Sequence, residues 1–284
     1  MKRISLPNFL IVGAMKAGTT SMYEIMNQHS RITMSNIKEV HFFDYEEKYN
    51  RGKEFYSTFF NIHPDSVAVG EATPIYLFHP EAAQRILNML GEGTKIIIML
   101  RNPANRTISH YKMMNQYGWE TDSIDKALQK NLQRIENSEP LNRDFSYIER
   151  SCYYSQVKRY FDLFPGKNIK VVLFEEDFIS NRKLLVKESF DFLEVLPEDV
   201  SIHVKLMPTT NPISRTIDRM VNTASPVNQM LKKIIPSNKL RKGIQYFANN
   251  LNSKPVMSSQ GLDEAKNGLP TKYLVRTLKP LKIY

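Results

Sequence analysis

The sequence predicts an α/β fold: a parallel β-sheet with helices packed on both faces. Three observations carry this. Short apolar runs recur that are too brief for helices but suit strands buried on both faces. Stretches of helical periodicity separate them. The first apolar run also ends in a glycine turn that opens directly into a helical pattern.

Asn8-Phe-Leu-Ile-Val-Gly13 is the first strand, and Thr19 to His29 the first helix, with Met22, Ile25 and Met26 at i, i+3 and i+4. Residues 30–66 are irregular, polar and rich in aromatics. Val67-Ala-Val-Gly70 is a second short strand. Pro80 to Leu90 is a helix that starts with proline and stops at Gly91. Lys95-Ile-Ile-Ile-Met-Leu100 is the clearest buried strand. Ala104 to Tyr117 and Ile124 to Glu136 follow as helices. Tyr153 to Phe164 is an amphipathic helix ended by Pro165-Gly166. Ile169-Lys-Val-Val-Leu-Phe174 is a further strand, and Asn181 to Val195 a helix. Past residue 210 no strand pattern is visible. That stretch reads as short helices broken by Pro226, Pro236, Pro255, Pro270 and Pro280. The simplest division is one domain over 1–284, an α/β core at 1–210 and a basic helical segment at 211–284.

With 284 residues and 42% hydrophobic content, a sizeable core is available and low-complexity disorder is excluded for most of the chain. A lone Cys152 rules out an internal disulfide and suggests a reducing compartment. No apolar run approaches the roughly 18–20 residues that span a bilayer. Lys2 and Arg3 precede only a short apolar stretch, so no secretory leader or anchor is expected and a cytoplasmic location follows. Charge is lopsided: residues 1–210 carry 26 basic and 26 acidic side chains, residues 211–284 carry 13 and 3. Such a tail suits an anionic membrane surface or another polyanion, or is simply a solvated basic face.

The strongest signal is Gly13-Ala-Met-Lys-Ala-Gly18-Thr19-Thr20, set between a strand and a helix. There, backbone N–H groups and the helix N-terminus form an anion cradle, and glycines allow close approach. The frame nearly matches the P-loop pattern G-x-x-x-x-G-K-[ST], which makes this a P-loop-type sheet. It departs in one place: Thr19 stands at the lysine position, and the lysine has moved inside the loop, to Lys16. The strand at 95–100 leads to Arg101 rather than to a magnesium-binding carboxylate. A cation there repels Mg²⁺ and attracts phosphate. The site therefore suits an anionic nucleotide without a metal.

Val12-Gly-Ala-Met-Lys-Ala-Gly-Thr-Thr-Ser21 resembles the 5′-phosphosulfate loop of sulfotransferases that use 3′-phosphoadenosine 5′-phosphosulfate (PAPS). Leu100-Arg-Asn-Pro-Ala-Asn-Arg-Thr-Ile-Ser-His-Tyr111 resembles their 3′-phosphate motif, which implies that Arg101 and Ser109 hold that phosphate. Lys38-Glu-Val-His-Phe-Phe-Asp44 is similar to a segment of carbohydrate sulfotransferases of the heparan-sulfate type and their bacterial relatives. The resemblance implies that Glu39 is the catalytic base. Gly70-Glu-Ala-Thr-Pro-Ile-Tyr76 resembles a motif on their acceptor side, with Ala72 where several members carry lysine. The likeness runs over about residues 6–196.

The implied reaction moves a sulfuryl group from PAPS to a hydroxyl of a carbohydrate, glycolipid or lipid-like acceptor. Lys16 would neutralise the leaving phosphate. Lys16, Ala17, Gly18, Thr19, Thr20 and Ser21 would hold the 5′-phosphate. Glu39 would act as general base, with His41 beside it as a further site residue. Tyr153 is a cofactor contact in this reading. Asn211, Arg215 and Arg241-Lys242-Gly243 are candidates for a segment that closes over the nucleotide. No metal is expected, because His29, His63, His79, His110 and His203 show no ligand spacing. Two other classes compete: a P-loop kinase or NTPase using ATP and Mg²⁺, and a non-enzymatic polyanion binder driven by the basic tail. No helix-turn-helix, zinc-finger or RNA-binding signature points to a specific nucleic acid.

Overall fold

The computed structural model describes residues 6–140 and 142–202, and two short strands further on. Five parallel strands form one sheet: β1 (Phe9–Gly13), β2 (Ile32–Met34), β3 (Ala68–Ala72), β4 (Lys95–Leu100) and β5 (Ile169–Leu173). Their order is β2-β3-β1-β4-β5. β1 and β3 are buried along their whole length and β4 at every residue but Lys95, which explains the unbroken apolar runs of β1 and of Ile96–Leu100.

Helices α1 (Thr19–Met26), α2 (Glu46–Tyr49), α3 (Gly52–Ser57) and α4 (Ala82–Leu90) fall between the first four strands. Then come α5 (Pro103–Gln116), α6 (Ile124–Glu136), α7 (Tyr153–Leu163) and α8 (Arg182–Phe192). A π-helical turn, Phe174–Ser180, joins β5 to α8. Strands β6 (Thr210–Pro212) and β7 (Ser253–Pro255) pair antiparallel.

The chain divides into two compact units, split at Arg106/Thr107 and again at Ser151/Cys152. The first contains the five-stranded sheet. Beneath residues 38–60 its core is aromatic: Phe42 stacks on Tyr56 at 4.2 Å, and Phe43 meets Tyr76 edge-on at 5.4 Å. The second contains α6, most of α5 and the β6–β7 pair. There the buried Asn131 accepts the Ile148 N–H (2.8 Å) and donates to Glu149 (2.8 Å), while Tyr147 donates to Glu120 (3.1 Å). Burial, with Glu120 close by, pushes the Tyr147 pKa up.

The chain leaves β1 for the far edge, returns in β3 beside β1, then crosses to β4 on the other side. Loops at the carboxyl ends of β1, β3 and β4 are thereby gathered at the point where the strand order reverses, where open α/β sheets bind ligands.

The structure corrects two expectations. Residues 30–66 are not wholly irregular, since they hold β2, α2 and α3. These elements have three, four and six residues, too few for a period to register. The stretch beyond 210 was expected to contain only helices, yet β6 and β7 are strands. Their pairing joins residues some forty apart, so no local pattern announces it. The rest of 211–284, with Arg215 and Arg241-Lys242-Gly243, lies outside the described residues. Among the described residues no helix is long and apolar enough to cross a membrane.

Ile97 lies at the sheet's centre, fully buried and paired with Ile11 of β1 and Lys170 of β5. Ile97→Ala should cost about 2–5 kcal/mol. Urea denaturation should show a lower midpoint at unchanged slope. An unchanged midpoint would contradict this packing.

Candidate active site

β1 ends at Gly13, and main-chain bonds fix the chain just after and just before it. Ala14 N–H donates to Met99 of β4 (2.6 Å), and Leu77 N–H donates to Val12 (2.7 Å). A Cβ at Gly13 would sit 2.5 Å from the Leu77 Cβ and 2.9 Å from the Pro74 carbonyl oxygen. At Gly18, φ is +89° and a Cβ would lie 2.8 Å from the Phe174 ring, so glycine is required twice over. Lys16 also has left-handed φ, 71°, a conformation that costs a non-glycine residue about 1–2 kcal/mol. α1 opens at Thr19, and the first N–H groups of a helix have no partner within it. The loop thus presents N–H groups and a positive dipole end to the space beyond β1.

Cations crowd this loop. Burial first, then Arg101, Arg106 and Lys38, bring the Lys16 pKa down to about 8, while Glu39 pulls the other way. Arg101 follows β4, and its Nη1 donates to the Lys16 carbonyl (3.0 Å). Its guanidinium lies 4.8 Å over the Phe174 ring. Its main-chain carbonyl accepts from the Tyr153 hydroxyl (3.0 Å). Burial lowers the Arg101 pKa and Glu175 opposes the shift. Yet the buried Arg101 Nε has no hydrogen-bond partner, with Glu175 Oε1 3.8 Å away. That carboxylate instead accepts the Asn102 N–H at 3.1 and 3.3 Å. Asn102 Oδ1 in turn caps α5, accepting from Ala104 (3.1 Å) and Asn105 (3.2 Å). Arg106, one turn into α5, is fully buried.

Residues 38–44 form the facing segment. Glu39 is one-third exposed and receives Lys38 Nζ at 3.1 Å. His41 Nε2 lies 3.4 Å from Glu39 Oε2, and His41 Nδ1 lies 3.0 Å from Asp44 Oδ2. The Asp44 carboxylate is buried and accepts, so Nδ1 carries the proton. His41 too has left-handed φ, 56°, so both the loop lysine and this histidine are held in strained backbone.

The structure therefore brings Lys16, Arg101, Glu39 and His41 into one neighbourhood. Ala17, Thr19 and Ser21 are buried in the turn, with Gly18 and Thr20 half-buried. Tyr153 is buried beneath Arg101, and burial pushes its hydroxyl pKa up to about 12. Ser109 is buried on α5, in the second unit. Three residues escaped the sequence reading. Lys38 and Asp44 stood inside a quoted motif without a role. Arg106 could have been found by its place one turn after Pro103, on the same helical start that Arg101 precedes. Cys152 is half-buried at the N-terminus of α7. Among the described residues no three His, Cys, Asp or Glu side chains are grouped to hold a metal.

A glycine loop after a central strand is thus ringed by cations and faced by a carboxylate, on a parallel α/β sheet. The model of the sulfotransferase domain family matches residues 6–254, and the chain belongs to that family. The membrane-associated sulfotransferase kil1 of Dictyostelium discoideum is 34% identical over 119 residues, 41% of this chain and 25% of that protein. Heparan sulfate glucosamine 3-O-sulfotransferase 5 of Homo sapiens is 29% identical over 177 residues, 59% of this chain and 47% of that protein. The chain thus matches about half, or less, of the length of these curated relatives. The crystal structure of a sulfotransferase from Alicyclobacillus acidocaldarius superposes with a TM-score of 0.60 at 29% identity, covering 84% of this chain and 99% of that one.

The lowered Lys16 pKa has a consequence for stability. Between about pH 8 and the ordinary lysine value of 10.5, the unfolded chain binds more protons at this residue than the folded one. The Lys16 contribution to stability therefore rises with pH across that window. Melting curves should show this rise in the wild type and its loss in Lys16→Met. Parallel pH profiles for the two proteins would contradict the assignment.

Proposed function

We propose that this protein transfers a sulfuryl group from PAPS to an acceptor hydroxyl. The observation that carries the reading is the cation cluster of Lys16, Arg101, Arg106 and Lys38 around a glycine loop, with Glu39 facing Lys16. The site suits a ligand with separated phosphates. It has the partnerless first N–H groups of α1, and a buried Arg101 Nε lacking a hydrogen-bond acceptor. When bound, PAPS supplies the activated sulfuryl group.

The loop N–H groups, with Thr19, Thr20 and Ser21, hold the 5′-phosphate, and Arg101 holds the 3′-phosphate. Tyr153 and Phe174 fix Arg101 from behind. Lys16 is poised to stabilise charge on the departing phosphate, because its ammonium is already desolvated and needs no reorganisation. Glu39 takes the acceptor proton. Asp44 orients His41 through Nδ1 so that its ring stands beside Glu39, and Lys38 holds the Glu39 carboxylate. The acceptor class favoured is a carbohydrate hydroxyl. The name of the human relative supports it, as does the resemblance of the segment Lys38–Asp44 to carbohydrate sulfotransferases.

Two measurements test the reading. Adenosine 3′,5′-diphosphate without metal should raise the melting temperature, and the shift should vanish in Arg101→Ala. A shift only with ATP and Mg²⁺ would overturn it. Radiolabelled sulfate transfer from PAPS to a panel of glycans and glycolipids should fall about 10²–10⁴-fold in Glu39→Gln, with diphosphate binding intact. Undiminished transfer would remove Glu39 as the base.

A further inference from the structure

Glu71, near the end of β3, is fully buried, as are the three hydroxyl-bearing residues around it, Tyr56, Thr73 and Tyr76. Burial raises the Glu71 pKa, and the three hydroxyls oppose the shift. A charge-bearing group so deep in a core calls for a reason, since its desolvation is costly even when it is well bonded. Tyr56 donates to Glu71 Oε1 (2.6 Å), Tyr76 to the same oxygen (3.0 Å) and Thr73 to Oε2 (2.6 Å). None of these bonds touches the cation cluster.

The reason lies on the other side of the hydroxyls. A carboxylate only accepts, so it turns both the Thr73 and the Tyr76 protons toward itself and leaves their lone pairs facing away. Those lone pairs receive three consecutive backbone donors of the facing segment. Val40 N–H (3.0 Å) and His41 N–H (3.4 Å) donate to Thr73 Oγ1, and Phe42 N–H (2.8 Å) donates to the Tyr76 hydroxyl. Tyr76 is itself braced, because Tyr160 donates to its carbonyl (3.0 Å). Residues 40–42 lie directly after Glu39 and include His41.

We infer that Glu71 is a positioning residue which, through Thr73 and Tyr76, holds the backbone of residues 40–42 and so sets the aim of Glu39 and His41. This rests on the reading of Glu39 as the base. A neutral amide at 71 would place an N–H₂ against one hydroxyl. That hydroxyl proton would then have to turn away, toward the N–H groups it now accepts. The segment would loosen while the glycine loop, held by β1 and β4, stayed in place.

The test measures kcat for sulfuryl transfer and the affinity for adenosine 3′,5′-diphosphate in Glu71→Gln, Thr73→Val, Thr73→Ser and Glu39→Gln. Glu71→Gln and Thr73→Val should each lower kcat about 10–100-fold, the size of effect that misplacing a reacting group by about 1 Å produces. Diphosphate affinity, which also reports that the variants are folded, should stay within about twofold. Thr73→Ser keeps the hydroxyl and should recover most of the lost rate. The inference is overturned if Thr73→Val keeps wild-type kcat, if Thr73→Ser is as slow as Thr73→Val, or if rate and diphosphate affinity fall together. Full turnover in Glu39→Gln would instead overturn the underlying reading of the base.

Discussion

Lys16, Arg101, Arg106 and Lys38 carry like charges into one partly desolvated corner at the carboxyl end of the sheet. Left to themselves they would repel one another and seek water. The fold holds them together by burial and packing, with the carboxylates of Glu39 and Glu175 set against them. Arg106 is enclosed in the protein, Arg101 lies on Phe174 and is gripped through its backbone by Tyr153, and Lys16 sits on a turn anchored by two strands. The stability of the β1–β4 core is what sustains this arrangement. An anion that enters the corner therefore meets charges already gathered and already stripped of much of their water, which is the condition for strong electrostatic stabilisation.

Around that corner two glutamates occupy opposite environments. Glu39 is partly exposed and bracketed by Lys38 and His41. Glu71 is fully enclosed and meets only hydroxyls. The first is placed where a proton can be exchanged with a ligand. The second is placed where none can, and its bonds instead order a stretch of backbone. The separation of roles follows from solvent and neighbours alone, since the side chains are identical. It also explains why the segment 38–44 can hold His41 in a strained backbone conformation: its flanking N–H groups are fixed from below.

The sequence made the sheet and the loop legible for definite reasons. Strands covered on both faces, such as Ile96–Leu100, have no polar face and stand out as unbroken apolar runs. Gly18 is written into the sequence because both its positive φ and the Phe174 ring exclude any side chain. Lys16 and Arg101 were legible because each sits in a short motif whose chemistry is local, and Glu39 through the resemblance of Lys38–Asp44 to carbohydrate sulfotransferases. What could not be read depends on residues far apart in the chain. Thr73 meets Val40 across 33 positions, and Tyr76 meets Phe42 across 34. Nothing in Gly70-Glu-Ala-Thr-Pro-Ile-Tyr76 shows that its polar side chains point inward to the core and not outward to a ligand. Arg106 is hidden for a related reason, as an arginine on a helix ordinarily implies a solvated face. β2, β6 and β7 are three residues each and leave no period to detect.

A phosphate-bearing nucleotide should relieve the repulsion at Lys16. Calorimetric titration with adenosine 3′,5′-diphosphate near pH 8.5, repeated in buffers of different ionisation enthalpy, measures it directly. At that pH the free protein has lost part of its Lys16 proton, given a pKa of about 8. A bound anion raises that pKa, so binding should take up a fraction of a proton from the buffer, and Lys16→Met should abolish the uptake. Binding with the same heat in every buffer, or uptake that persists in Lys16→Met, would contradict the account.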